Sequence, residues 1–193
     1  ADDVYKNATV ILHVQPFSEN EIGKMTAGQI VVGQFNPLGQ REQIPFLQKQ
    51  GVSAFSLDLA PRSTRAQALD VLSSMATVAG YKAVLVAAAG LPSFLPMFMT
   101  AAGTIKPAKV LILGAGVAGL QAIATAKRLG AIVEAFDVRA AAKEEVLSLG
   151  AKFVEVEGAV ENKAAGGYAI EQTDEFKAKQ AQLIHDHAAL ADI

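Results

Sequence analysis

Val110-Leu111-Ile112-Leu113-Gly114-Ala115-Gly116-Val117-Ala118-Gly119-Leu120 is the stretch that decides the fold. Its first four residues are apolar and predict a buried strand; Leu120 to Leu129 predicts a helix, ended by Gly130. Between them lies the pattern GxGxxG. Its first glycine permits a tight turn out of the strand. The second lets the backbone come close to a pyrophosphate, and the third lets helix and strand pack closely. The helix start then offers free N–H groups and a partial positive charge to an anion. The pattern alone is weak, and a Gly/Ala-rich turn that binds nothing is its plain rival. Context strengthens it: Ile132 to Phe136 predicts the next strand and ends at Asp137, 18 residues after Gly119. An acidic residue there suits the adenosine ribose hydroxyls and repels a 2′-phosphate, which favours NAD(H) over NADP(H). Arg139 pulls the other way, because a nearby Arg can accommodate that phosphate. Gly114, Ala115, Gly116, Val117, Ala118, Gly119, Asp137, Val138 and Arg139 are therefore the expected cofactor-binding residues.

Outward from this core the alternation continues. Ala140 to Leu149 predicts a helix, Lys152 to Val156 a strand, Glu157 to Gln172 a polar loop and Thr173 to Leu190 a last helix. Upstream, Ala8–Val14, Ile30–Phe35 and Val52–Leu57 read as strands, the first of them buried. Gln40–Gln50 and Arg65 to about Ala89 read as helices, and Pro61–Thr64 as a turn. Lys106-Pro107-Ala108-Lys109 looks like a hinge. Strands alternating with helices imply parallel, doubly wound sheets. The expectation is an α/β chain of two such subdomains, 1–104 and 105–193, with a cleft between them. The second is Rossmann-like and carries the first, adenosine-side half of that fold. The chain is expected to be incomplete at both ends, since Ile193 falls where a fourth strand is due.

Composition narrows the chemistry. The 193 residues carry 17 Lys+Arg and 19 Asp+Glu, a formal charge of −2, which gives no general pull toward nucleic acid. Cysteine is absent, which excludes a disulfide scaffold, an iron–sulfur cluster and a thiol nucleophile, and fits a reducing compartment. Ala83 to Ile105 is 23 residues without a charge, long enough to span a bilayer. Pro92 and Pro96 at its middle argue instead for a helix end plus a loop. The acidic start Ala1-Asp2-Asp3-Val4 has no basic-then-apolar signal pattern.

Pro61 to Ser74 (PRSTRAQALDVLSS), Ala79-Gly80-Tyr81, Thr100-Ala101-Ala102-Gly103 and the glycine loop together resemble the NAD(H)-binding component of proton-translocating NAD(P) transhydrogenase, a relative of alanine dehydrogenase. The resemblance implies that Arg62, Gln67 and Asp70 form a loop beside the nicotinamide, with Ser73 near its ribose. It also implies a mobile loop whose Tyr, here Tyr168 in Gly166-Gly167-Tyr168-Ala169, closes over the nucleotide. The implied partners are an NADP(H)-binding domain, a membrane-spanning proton-channel domain and a second copy of the chain. That places this soluble component on the cytoplasmic or matrix side of a membrane complex. Structural rivals stand beside these roles. Thr64-x-x-Gln67 has the form of a capping box, Arg62 and Asp70 could be a surface ion pair, and Tyr168 could sit in a plain linker.

An amino-acid dehydrogenase must move a proton as well as a hydride, so it needs an acid–base group. Transfer between two nucleotides needs only two apposed rings. In alanine dehydrogenases a Lys and a His of the first domain serve the substrate. The corresponding stretches here, Leu12–Pro16 and Val32–Pro37, have no Lys in the former and no His in the latter. His13 reads as a core or strand-end residue. His185 and His187 are two apart, on different helix faces, which disfavours a metal site. The rival functions are an NAD-dependent alanine dehydrogenase and a non-catalytic NAD-binding module.

Overall fold

Three short apolar runs pair in parallel in the first of two compact units, Ala1–Ser74. The computed structural model describes residues 2–61, 63–156 and 173–193. In this unit α1 (Asp2–Asn7) leads into β1 (Val10–His13), α2 (Glu19–Ile22), β2 (Ile30–Gly33), α3 (Gln43–Gln50) and β3 (Ser53–Ser56). Val10 lies beside Ile30, and Ile30 beside Ser53, so the strands are in register in the order β1-β2-β3. Tyr5, Ile11, Phe17, Ile22, Val31 and Leu47 bury together as the core. The apolar run around β1 is buried on one face only: Ile11 is 3% exposed, but Val10 is 50% and Leu12 77%. Alternate side chains point to opposite faces, and only one face of this sheet is packed. β2 stops at Gly33, short of the expected Phe35, because the Phe35 N–H turns to the Ser56 hydroxyl instead of the ladder.

Gln29 is buried at the base of β2 and uses its whole amide: it donates to the carbonyls of Tyr5 and Ala8 and accepts from the Thr26 N–H. At α2 a capping box forms. The Ser18 hydroxyl accepts the Glu21 N–H, while the Glu21 carboxylate accepts the Ser18 N–H at 2.8 Å and the Ser18 hydroxyl at 2.7 Å. These donors, the Ser18 hydroxyl first, its N–H next and Tyr5 after them, hold the Glu21 carboxyl down at about 2. A lowered folded value stabilises the fold above the ordinary carboxylate pKa, and that contribution fades as pH falls from about 4.5 to about 2. Ser18→Ala is expected to cost about 1 kcal/mol at neutral pH. It should also flatten this acid limb, which urea unfolding across that range would show.

α4 (Val71–Gly90) begins in the first unit and continues in the second, Met75–Ile193. The expected helix from Arg65 is split. Thr64–Leu69 is a 3-10 helix, and the α-helix starts only after Asp70, whose carboxylate accepts the Ser73 N–H and so caps a new start. After α4, the uncharged stretch resolves into a loop and an antiparallel hairpin, β4 (Phe98–Thr100) with β5 (Gly103–Ile105). It is thus not one continuous helix. α4 itself is long and apolar enough, by length and composition, to cross a membrane.

The second sheet is β6 (Lys109–Leu113), β7 (Ile132–Phe136) and β8 (Lys152–Val154), parallel and in that order. α5 (Val117–Arg128) and α6 (Ala142–Ser148) make the crossovers, and α7 (Asp174–Ala188) follows. Val110, Ile123, Ala126, Val133 and Val146 form the core, joined by Val84 of α4 and by Leu95. Ala88 and Leu91 also pack against this core, so the end of α4 and the loop after it go with the second sheet. On the other edge of β6, Leu111 N–H donates to the Ile193 carbonyl at 2.8 Å and Asp192 N–H to the Lys109 carbonyl at 2.8 Å.

Candidate functional site

β6 delivers the chain to a turn that only glycine takes without strain. Gly114 has φ +94°, and its N–H donates to the Phe136 carbonyl at 2.7 Å, tying the turn to the end of β7. Gly116 is the N-cap of α5, and no side chain caps the helix there. A Cβ on Gly116 would meet nothing within 4 Å, so the backbone there is open to an incoming group. Gly119 is the reverse: a Cβ would lie 1.8 Å from the Gly114 carbonyl oxygen. The three glycines thus do three different jobs, as the pattern requires. A fourth glycine lies outside the pattern. A Cβ on Gly80 of α4 would lie 2.0 Å from the Ala118 carbonyl oxygen, so α4 packs its bare backbone against the first turn of α5. In the sequence Gly80 stands out only through the family resemblance; no local spacing signals a contact between segments so far apart.

Asp137 follows β7 directly, with its side chain only 7% exposed. Its Oδ2 accepts the Ala115 N–H at 2.7 Å, which locks the glycine loop to the carboxylate. Arg139 supplies three more donors: its backbone N–H and Nε to Oδ1, at 2.8 and 2.9 Å, and its Nη2 to Oδ2, at 2.9 Å. Burial pushes the Asp137 carboxyl up, but the Arg139 side chain, the Arg139 N–H and the Ala115 N–H outweigh it and hold it below its ordinary value. Val138, between the two, is half-buried. The loop, the uncapped helix start and the adjacent carboxylate fit the adenosine and pyrophosphate of a dinucleotide.

The residues expected at the nicotinamide end lie in the first unit. Arg62 falls outside the described residues, as does Tyr168. Gln67 is exposed on the 3-10 helix. Asp70 and Ser73 are brought together: the carboxylate accepts the Ser73 N–H at 2.9 Å and its hydroxyl at 2.7 Å. The Thr64–Gln67 capping box does not form; Ser63 is the N-cap and makes no side-chain cap bond. Asp70 is the C-cap of the 3-10 helix that carries Gln67.

Within the same unit, the carboxyl ends of β1, β2 and β3 open on a cavity of about 400 Å³. Gln15, Gln34, Asn36 and Asp58 supply its polar groups, and among the described residues neither Lys nor His lines it. Asn36 takes a left-handed backbone, φ +46°, held by its N–H donating to Asp58 at 2.9 Å. His13 is half-buried at the end of β1, its ring stacked on Phe17 at 4.3 Å and its Nδ1 2.5 Å from the Gln15 carbonyl. His187 pairs instead with Glu134 of β7, which also takes Lys152.

Two family descriptions match this chain: "Alanine dehydrogenase/PNT, N-terminal domain" over residues 1–79 and "Alanine dehydrogenase/PNT, C-terminal domain" over 83–193. The chain belongs to the alanine dehydrogenase/PNT family. Within that family it is 41% identical, over 192 residues, to NAD(P) transhydrogenase subunit alpha of Cereibacter sphaeroides, covering 98% of this chain and 37% of that one. It is 42% identical over 184 residues to NAD(P) transhydrogenase subunit alpha of Haemophilus influenzae, covering 95% and 36%. The crystal structure of transhydrogenase from Sinorhizobium meliloti superposes with a TM-score of 0.87 at 47% identity, over 99% of this chain and 51% of that one. An L-alanine dehydrogenase structure matches at a TM-score of 0.68 and 24% identity, over 79% and 43% of the two chains, and shares the fold. The chain spans about half the length, or less, of these relatives. The resemblance read from Pro61–Ser74 and the glycine loop is thus borne out at the level of the family, on the transhydrogenase side of it.

Proposed function

We propose that this chain is NAD(H)-binding sequence of a proton-translocating NAD(P) transhydrogenase, an oxidoreductase that passes hydride between NAD(H) and NADP(H) held on a partner domain. The observation that carries the reading is the glycine loop, open at Gly116 and closed at Gly119, with Asp137 bonded to it through the Ala115 N–H. The loop and the start of α5 take the pyrophosphate, and Asp137 takes the adenosine ribose. Arg62, Gln67, Asp70 and Ser73 orient the nicotinamide, and Tyr168 closes over the bound nucleotide. NAD(H), when bound, supplies the hydride donor or acceptor. No residue has to hold a proton, and the polar groups of the first-unit cavity are Gln15, Gln34, Asn36 and Asp58, with neither Lys nor His among the described residues. That cavity is the specific observation against the alanine dehydrogenase reading. A non-catalytic module has no use for the Arg62, Gln67 and Asp70 groups expected at the nicotinamide end.

Partners follow from the same reading: an NADP(H)-binding domain, a membrane-spanning proton channel and a second copy of the chain. Pairing of copies is supported by the side chains that α4 leaves open. Leu72, Met75, Val78 and Val86 are between 44% and 59% exposed, and Met99 of the hairpin is 74% exposed. The expected site of action is the cytoplasmic or mitochondrial-matrix side of a membrane complex.

Titration with NADH and NADPH tests the cofactor. The chain has no Trp, so nicotinamide emission can be followed with little interference. Saturable enhancement with NADH, at least tenfold tighter than any with NADPH, is expected. Equal affinity for the two would sink the assignment, and NADH oxidation driven by pyruvate and ammonium would restore the dehydrogenase.

A further inference from the structure

The acceptor that a ribose would use is already occupied by the chain itself. Each oxygen of Asp137 receives one backbone N–H, from Arg139 on Oδ1 and Ala115 on Oδ2, and these belong to the fold of the loop. Each also receives one donor of the Arg139 guanidinium, Nε on Oδ1 and Nη2 on Oδ2, both at 2.9 Å. Two parallel N–H donors reach one carboxylate, one per oxygen. A vicinal diol makes the same demand, with two O–H donors and one carboxylate between them.

We propose that Arg139 is a self-ligand of the nucleotide site, standing where the 2′- and 3′-hydroxyls of the adenosine ribose will bind, so that a nucleotide enters by exchange with the guanidinium. The inference rests on the dinucleotide reading of the glycine loop and extends it to how the site is held before binding. The pair is suited to exchange. The Asp137 side chain is 7% exposed and the Arg139 side chain 31%, so the guanidinium lies nearer solvent than the carboxylate it holds, and the incoming hydroxyls take over its two bonds. The backbone bonds remain, and the carboxylate keeps its position when Arg139 leaves. Exchange has a thermodynamic consequence. In the native chain the hydroxyls contribute their bond to Asp137 minus the loss of the Arg139 bond. Without Arg139 they contribute the whole.

The test compares ADP with 2′-deoxy-ADP on this chain and on its Arg139→Gln and Arg139→Lys variants, by calorimetric titration. Both probes carry the same phosphates, so the general attraction of Arg139 for an anion cancels in their ratio. The expected penalty for losing the hydroxyl is at least threefold larger in Arg139→Gln than in the native chain, with Arg139→Lys between them, since Lys offers a point charge rather than a fork. Thermal melts check that each variant is folded. If the native chain binds ADP and the penalty is equal or smaller in Arg139→Gln, the exchange is overturned and the dinucleotide reading stands. A folded native chain that does not bind ADP overturns both.

Discussion

Gly119→Ala is expected to lower the stability of the second unit by about 3 kcal/mol, the upper part of the range for forcing a methyl into a packed site. The new Cβ would lie 1.8 Å from the Gly114 carbonyl oxygen and 2.8 Å from its carbon. Both are backbone atoms and cannot swing aside. The first turn of α5 must move away from β6, which strains the packing of Ile123 and Ala126, both fully buried in the core. The strain also reaches Gly80, whose bare backbone is fitted to Ala118. Gly116→Ala is the matched control. It adds the same methyl, but into open space and at φ −78°, so only the poorer capping of alanine is lost, about 1 kcal/mol or less. Nucleotide affinity should fall in both variants, at Gly116 because the methyl occupies the approach of the pyrophosphate. Urea unfolding with and without NADH separates the two effects. Equal stabilities for the variants would mean that the close approach at Gly119 is not part of the fold's architecture.

What could be read from the sequence was what is local. The glycine loop is a strand, a turn and a helix in one stretch, and its spacing carries its own geometry. The strand that ends at Asp137 was legible for the same reason, and Ile132–Phe136 has the bounds expected of it. The break at Asp70 was not legible, because apolar residues at helical spacing run straight through it. What restarts the helix is a side chain turning back on the Ser73 N–H, and that competes with continuation at almost no compositional cost. The β4–β5 hairpin was hidden for another reason. Its turn is Ala101-Ala102, without the usual Asn or Asp signal, inside a long uncharged stretch. α1 is short and polar and has no periodicity to detect; it is held through Tyr5 and by the Gln29 amide, 24 residues away from Tyr5. At the site, Asp137 was legible by position, but its possession by Arg139 depends on a rotamer, which no pattern encodes.

Asp70 carries the second large effect, because the structure gives it a job apart from the one proposed for it at the nicotinamide. Its carboxylate accepts the Ser73 N–H at 2.9 Å and the Ser73 hydroxyl at 2.7 Å, as an N-cap of α4 does. Asp70→Ala removes both roles. It should cost about 1 kcal/mol of stability through the lost cap. In the assembled complex it should also slow hydride transfer on the order of 100-fold, the scale of a small misplacement of reacting groups. That result alone would not separate the roles. Asp70→Asn does, because asparagine caps a helix about as well as aspartate, its carbonyl oxygen accepting the same Ser73 N–H. Its stability should stay within about 0.5 kcal/mol of the native chain. Transfer should still fall by about the same factor if the carboxylate's charge orients the nicotinamide group, since the amide presents one acceptor and one donor where two acceptors stood. Ser73→Ala keeps the Ser73 N–H for the cap and removes only the hydroxyl, so it should give a smaller loss of transfer with a nearly native melt. Stopped-flow hydride transfer and thermal melts on the same preparations decide the matter. Full transfer in Asp70→Asn would reduce Asp70 to a helix cap and remove it from the proposed nicotinamide loop.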